Sequence, residues 1–506
     1  MLPEIYKLYK PLRNTLRSFA TPNVFYVIWA YVNHLQFGNK FPKDIQVSLD
    51  FLNAESHPQR NLYEWELSIL AREVILHGTD TIDPSTKSIQ SWNNLQNAIN
   101  KLKEFENNVW PVVGGEHNIL VELRRLSHRQ FPWQNPPNTS FFLRNYKIYS
   151  NERVTNIIES KIQMSIRVWY VVGCAILGAY FNNPKINIDP SIQIEGITSD
   201  DFNNFLKYVS ADIPKIREII KRDVKYDDQF VYYFNPLEFY PLVKIDKYYY
   251  CPITTFLAWR ITSGIYFDLI KDKNFGSQFG FAFQDYLLEV ATKVISRSGV
   301  TILGEEKYKV KTEEDSVDII IADEDYAFFI ESKAKRLKAS SKSELLNDDS
   351  IKQDIGILAD AVVQVYKTYN DYKAGLYPQL PYQERLKIYP LIITLEEWYL
   401  IGEDLNILRR EVASKMEEEG LSLDYIDNLP YILCSCERFE SLVQVLNKFS
   451  IKEVVSNWFV REKNGHDFGN DLIVSYKEYI KPITDYFPGD FENIFPESIF
   501  KGVGKE

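Results

Sequence analysis

Asp318, Glu331 and Lys333 are the residues whose types and spacing most directly spell chemistry, and all three fall within SVDIIIADEDYAFFIESKAKRLK, residues 316–338. Two β-rich runs flank Glu324 and Asp325, so this stretch predicts a hairpin with its turn between them. In that register Asp318 lies across from Glu331. Strand alternation puts Lys333 on the same face, with Phe328, Ile330 and Ser332 on the other. Two carboxylates facing each other in an apolar sheet repel, and burying them unpaired is costly, so the pair calls for a cation. Oxygen donors favour a hard divalent ion, Mg²⁺ or Mn²⁺, which keeps water in its shell and supports attack on a phosphate. The Lys333 ammonium is placed to orient or help deprotonate that water and to offset charge in the transition state. The bland alternative is a surface hairpin with incidental charge pairs. Against it, Val317, Ile319, Ile320 and Ile321 on one run and Phe328, Phe329 and Ile330 on the other predict strands buried on both faces, where charges need a reason.

The elements that must position these residues are legible from about residue 275 onward. The pattern predicts a helix at 279–297, strands at 300–310, 316–323 and 326–335, and a long helix near 350–373. A strand at 387–395, a charged helix near 403–419, a strand at 431–435 and a final helix follow. Such interleaving predicts an α/β domain, a mixed central sheet flanked by helices, over residues 275–460. Residues 1–225 read as a mainly α-helical domain: LYEWELSILAREVILHG and SWNNLQNAINKLKEFENNV space their apolar residues as helices do. Between the two, residues 226–274 are expected to connect them through a hairpin around Asp246 and Lys247, and 461–506 form a C-terminal extension.

A helix, a strand, a strand bearing Asp and a strand bearing Glu-x-Lys, in that order, resemble the PD-(D/E)XK, or restriction-endonuclease-like, nuclease superfamily over about residues 275–400. The resemblance implies metal-dependent hydrolysis of phosphodiester bonds, with Asp318 and Glu331 as metal ligands, the Ser332 carbonyl completing the shell and Lys333 as the catalytic lysine. Val317 stands where the family's variable Pro sits, and Gly280, Phe283 and Gln284 match its helix pattern G-x-x-F-E with Gln in place of Glu. An uncharged Gln284 implies one metal or a low affinity, and Glu289 lies too far around the helix to substitute. Gln364 is an accessory candidate that resembles the helix glutamine of some exonuclease-like branches, with Thr368 where that pattern has Tyr. Lys335, Arg336, Lys338 and Lys342 continue a basic run suited to phosphates, or else a solvated loop and helix start.

Composition bounds the alternatives. At 506 residues the chain exceeds one core, and 45% hydrophobic with 25% charged residues is ordinary for a folded globular protein. A net charge of −11 excludes coating of nucleic acid by bulk electrostatics, so any such contact is local. Four cysteines, 174, 251, 434 and 436, imply no disulfide framework, and Cys434 with Cys436 lacks a second zinc pair. The apolar run VWYVVGCAILGAYF, residues 168–181, is shorter than a bilayer span and predicts a core helix, and the opening MLPEIYKLYKPLRN lacks a leader's apolar stretch. No membrane and a cytoplasmic location are the expectations. Gly114 and Gly115 lack the setting of a phosphate loop, while Arg72 and His77 form an R-x4-H spacing that resembles HEPN-type ribonucleases.

The leading expectation is thus a nuclease acting on DNA, with a ribonuclease for structured RNA such as tRNA and a catalytically inactive nucleic-acid-binding scaffold as alternatives. A helical module fused to a nuclease without a motor resembles bacterial antiviral defence nucleases. A trigger partner for the helical part and a homo-oligomer are the further partner expectations.

Overall fold

The computed structural model describes residues 3–54, 61–82, 86–113, 119–188, 196–227, 229–309, 313–338, 342, 349–377, 380–462 and 467–496. Gly114 and Gly115 lie outside them. The chain is mixed α/β and divides into two compact units: Met1–Tyr146 with Thr155–Lys271 and Glu492–Glu506, and Lys147–Val154 with Asp272–Phe491.

In the first unit the helical periodicity read from the sequence becomes long helices, among them α1 (Pro3–Leu16), α2 (Thr21–Phe37), α3 (Glu64–His77), α4 (Trp92–Val113), α5 (Ile166–Asn182), α6 (Ser199–Val209) and α7 (Ile213–Asp223). Local chemistry sets their ends. Ser165 caps α5 by accepting from the Val168 amide, Thr198 and Asp201 form a reciprocal box at α6, and Gly38, at φ 71°, ends α2 in the left-handed region. The apolar run becomes α5, with Trp169, Tyr170, Val172 and Tyr180 fully buried. Among the described residues no single helix is long and apolar enough to cross a membrane; only Glu152–Ile162 and Ile166–Asn182, bent by 62°, pass that test as a pair. The mainly helical reading missed a four-stranded mixed sheet of very short strands, β1 (Lys185–Ile186), β2 (Ser210–Asp212), β3 (Leu242–Ile245) and β4 (Tyr248–Tyr250), ordered β1-β4-β3-β2. The hairpin expected as a connector is β3 and β4 of this sheet, turning at Asp246 with φ 54°, a conformation Asp tolerates.

The second unit is built on a five-stranded sheet ordered β11-β10-β9-β8-β5, from β5 (Thr301–Gly304), β8 (Ile319–Ala322), β9 (Tyr326–Lys333), β10 (Lys387–Thr394) and β11 (Ile432–Ser435). β5, β8 and β9 pair antiparallel, while β9, β10 and β11 run parallel. The expected strand at 300–310 is a correction: it breaks after Gly304, and β6 (Lys307–Lys309) pairs with β7 (Glu313–Asp315) in a separate ribbon. Strand alternation sorts the side chains. Ile320, Ala322, Ala327 and Phe329 enter a core with α8 (Asp349–Lys373) and α9 (Glu403–Glu418), through Ile355, Leu358, Val362, Leu408 and Val412. On both hairpin strands the apolar residues from Val317 to Ile321 and from Phe328 to Ile330, Asp318 excepted, are at most 1% exposed, the two-sided burial expected of them. Cys434 lies in β11, Cys436 begins the helix Cys436–Val445, and all four cysteines are free.

Candidate active site

The β8–β9 ladder pairs Ile319 with Ile330 and Ala322 with Ala327, and Asp318 and Glu331 are the residues next to its Ile319–Ile330 end, Asp318 in a bend just before β8. The tight turn that fixes this register is held by Asp323, whose amide donates to the Tyr326 carbonyl at 2.9 Å and whose Oδ1 accepts from the Tyr326 amide at 3.1 Å. Glu331 is 7% exposed, and Lys333 Nζ donates to its Oε1 at 2.8 Å. The three sequence-predicted residues are therefore brought together. Burial, with the Asp318 charge adding to it, pushes the Glu331 carboxyl up to about 8, against the opposing pull of Lys333. Burial also raises Asp318, against the hydrogen bonds from Ser332. Burial acts to lower the Lys333 ammonium, but Glu331 beside it outweighs this and the net shift is upward.

Ser332 behaves otherwise than expected. Its amide and its hydroxyl both donate to Asp318 Oδ2, at 2.7 and 2.6 Å, although alternation had turned its side chain to the opposite face. The reason is that Asp318 precedes the first residue of β8 and escapes the ladder, so its carboxylate reaches back over β9. Gln284 lies on the helix Phe275–Val294, and its Nε2 donates to Glu305 Oε2 at 2.8 Å. Glu305 was passed over in the sequence, and its charge acts on both Asp318 and Glu331. Gln364 donates to the Asp315 carbonyl at 3.1 Å rather than to any of these groups, and Thr368 is buried in the core. Glu289 accepts from Lys147 at 2.8 Å, away from the hairpin carboxylates.

The basic run is already engaged. Lys335 and Lys338 lie 3.1 and 4.0 Å from Asp354 Oδ1, while Arg336 and Lys342 lie 3.0 and 2.8 Å from Glu396. No acid occurs within the run itself, but these two acids arrive from α8 and from the end of β10, which sequence spacing could not reveal. Asp354 is fully buried and needs its cations.

In the first unit, Arg72 and His77 do not form an open catalytic pair. Arg72, 1% exposed, donates to Glu73 at 2.9 Å and to the carbonyls of Tyr233 and Phe230 at 3.2 and 3.1 Å. His77 Nε2 lies 2.6 Å from Tyr9 Oη, which donates to Glu73 Oε2 at 2.6 Å. Burial holds the His77 imidazole below its ordinary value. This is a buried network that ties α1 to α3 and to residues 226–233.

Two carboxylates that share burial, offset by a single bonded ammonium, are a donor set that fits a hard divalent cation. Among the described residues no group of three or more His, Cys, Asp or Glu stands close enough to hold a metal, so Asp318 and Glu331 would supply two protein ligands and solvent the rest. Compared with protein-family models, with curated proteins and with solved structures, the chain gives no match in any of the three.

Proposed function

We propose that the unit Asp272–Phe491 is a divalent-metal-dependent nuclease that hydrolyses phosphodiester bonds, with DNA as the substrate class the superfamily resemblance favours. The observation that carries this reading is the proximity of two carboxylates, Asp318 and Glu331, next to the end of the β8–β9 ladder, the Asp318 charge acting on Glu331 and Lys333 Nζ bonded to Glu331. A structural hairpin gains nothing from two carboxylates that burial and mutual repulsion both penalise, and a cation site does. Asp318 and Glu331 would hold Mg²⁺ or Mn²⁺, which when bound supplies Lewis-acid polarisation of the phosphate and an activated water. Ser332 fixes the Asp318 carboxylate through two bonds to one oxygen. Lys333 keeps a positive charge beside Glu331, where it offsets charge developing on a phosphate oxygen. By analogy of architecture, the helical first unit regulates the nuclease, in the manner of an antiviral defence effector with a trigger partner.

The test uses the full chain and Asp318→Asn, incubated with supercoiled plasmid, single-stranded DNA and tRNA in Mg²⁺ or Mn²⁺. The expected result is cleavage of DNA by the wild type alone, abolished by chelation. Cleavage of tRNA and not DNA makes the protein a ribonuclease that uses the same carboxylates. Absence of cleavage in every condition, with no Mn²⁺ bound, leaves a nuclease-like scaffold and overturns the proposal.

A further inference from the structure

We propose that Lys338 and Lys342 are the side chains that bind backbone phosphates of the nucleic-acid substrate, and that Asp354 and Glu396 hold them in its absence, an inference that rests on the nuclease reading above. The run follows directly from β9, which ends at Lys333. The β9–β10 ladder pairs Lys333 with Thr394, so Glu396, two residues further on, stands at the same end of the sheet as Lys333. Asp354 comes from α8.

Each of the two acids receives one cation it cannot release and one it can. Asp354 is fully buried; its Oδ2 accepts from the Lys338 amide at 3.1 Å, and its Oδ1 lies 3.1 Å from Lys335 Nζ but 4.0 Å from Lys338 Nζ. A buried carboxylate needs a counter-charge, and Lys335 supplies it at the shorter distance. Glu396 Oε2 lies 3.0 Å from Arg336, whose side chain is only 9% exposed, so this guanidinium stays in place. Lys342, 30% exposed, is 2.8 Å from Glu396 Oε1. Ion pairs that open to solvent contribute at most about 1 kcal/mol, whereas a phosphate that takes the ammonium restores the attraction and releases a condensed counterion. Lys338 Nζ also donates to the neutral Gln353 Oε1 at 2.8 Å, a partner that a phosphate oxygen displaces without stranding a charge. Of the basic run, Lys335 and Arg336 are thereby structural, and Lys338 and Lys342 face the substrate. Such a contact is local, as a net charge of −11 requires.

The experiment measures binding of a short fluorescent DNA duplex by anisotropy, in EDTA so that nothing is cut, over about 50–200 mM salt. The full chain is compared with Lys338→Ala, Lys342→Ala and Glu396→Gln, each checked for an unchanged melting transition. Each lysine variant is expected to weaken binding and to reduce the slope of log affinity against log salt by about 0.9. Glu396→Gln gives the discriminating sign: it adds no cation, yet it tightens binding several-fold because Lys342 no longer has to leave a carboxylate. An unchanged slope in either lysine variant, or weaker binding by folded Glu396→Gln, overturns the inference; should Glu396→Gln fail to fold, the two lysine variants decide. Cleavage by the wild type together with unchanged slopes leaves the nuclease reading intact, whereas a chain that neither cuts nor binds the duplex brings down both.

Discussion

Ser332 places its backbone amide and its hydroxyl on the same oxygen of Asp318, at 2.7 and 2.6 Å. One residue of β9 thus orients the carboxylate that lies just outside β8, where no ladder hydrogen bond could do so. Ser332→Ala removes the hydroxyl and keeps the amide. Hydrogen bonds to a charged group contribute roughly 1.5–3 kcal/mol, so Mn²⁺ affinity should fall about tenfold or more while the fold persists. Calorimetry paired with circular dichroism checks this, and an unchanged affinity removes Ser332 from the account.

The paired acids beneath the basic run predict a non-additive response. Asp354 is fully buried, whereas the Lys335 and Lys338 side chains are 34% and 40% exposed and either can serve it. Lys335→Ala and Lys338→Ala should each cost at most about 1 kcal/mol, since the other lysine remains. The double variant should cost more than the sum, because the buried carboxylate then loses both ammonium partners. Urea denaturation of the four proteins measures the coupling, and strict additivity would show that the lysines do not share Asp354.

Phe329 tests the core beneath the site. It is fully buried, with its ring 5.7 Å from that of Tyr372 in an edge-on arrangement. Phe329→Ala should lower stability by about 3–5 kcal/mol and reduce any cation binding through loss of the hairpin rather than of a ligand. A destabilisation below about 1 kcal/mol would mean that the sheet is not anchored on α8 at this point.

In the first unit, burial raises Glu66 to about 6, with Lys103 at 3.2 Å and the Tyr63 amide at 3.1 Å opposing the shift. A carboxyl whose folded value lies above its unfolded value carries a penalty that is absent below about 4.5. The penalty grows as pH rises from about 4.5 to 6 and is complete above that range. Glu66→Gln should remove this slope, worth about 2 kcal/mol across the interval. Melting temperatures of both proteins between pH 4 and 7, taken in about half-unit steps, decide it; parallel curves would contradict the assignment.

The hairpin was legible in the sequence because every cue to it is local. The turn at Glu324 and Asp325, the alternation on either side and the two-sided apolarity fix both the register and the company of Asp318, Glu331 and Lys333. What escaped depends on pairing between distant segments. Glu305, next to the end of β5, comes near the hairpin only through the β5–β8 pairing, and the run from Lys335 to Lys342 looks free until Asp354 and Glu396 arrive from other elements. In the sheet of the first unit the β3–β4 hairpin was legible, but β1 and β2, of two and three residues, are too short to show a period. Ser332 shows the limit of alternation itself, which predicts side-chain direction only for residues inside a ladder.

The most direct test of the central claim is the rate of plasmid cleavage in Mg²⁺ by the full chain and by Lys333→Ala at matched protein concentration. Removing the ammonium that offsets transition-state charge should slow cleavage by about 10²–10³-fold while Mn²⁺ still binds. Equal rates for the two proteins would show that the Asp318, Glu331 and Lys333 cluster is not the catalytic centre.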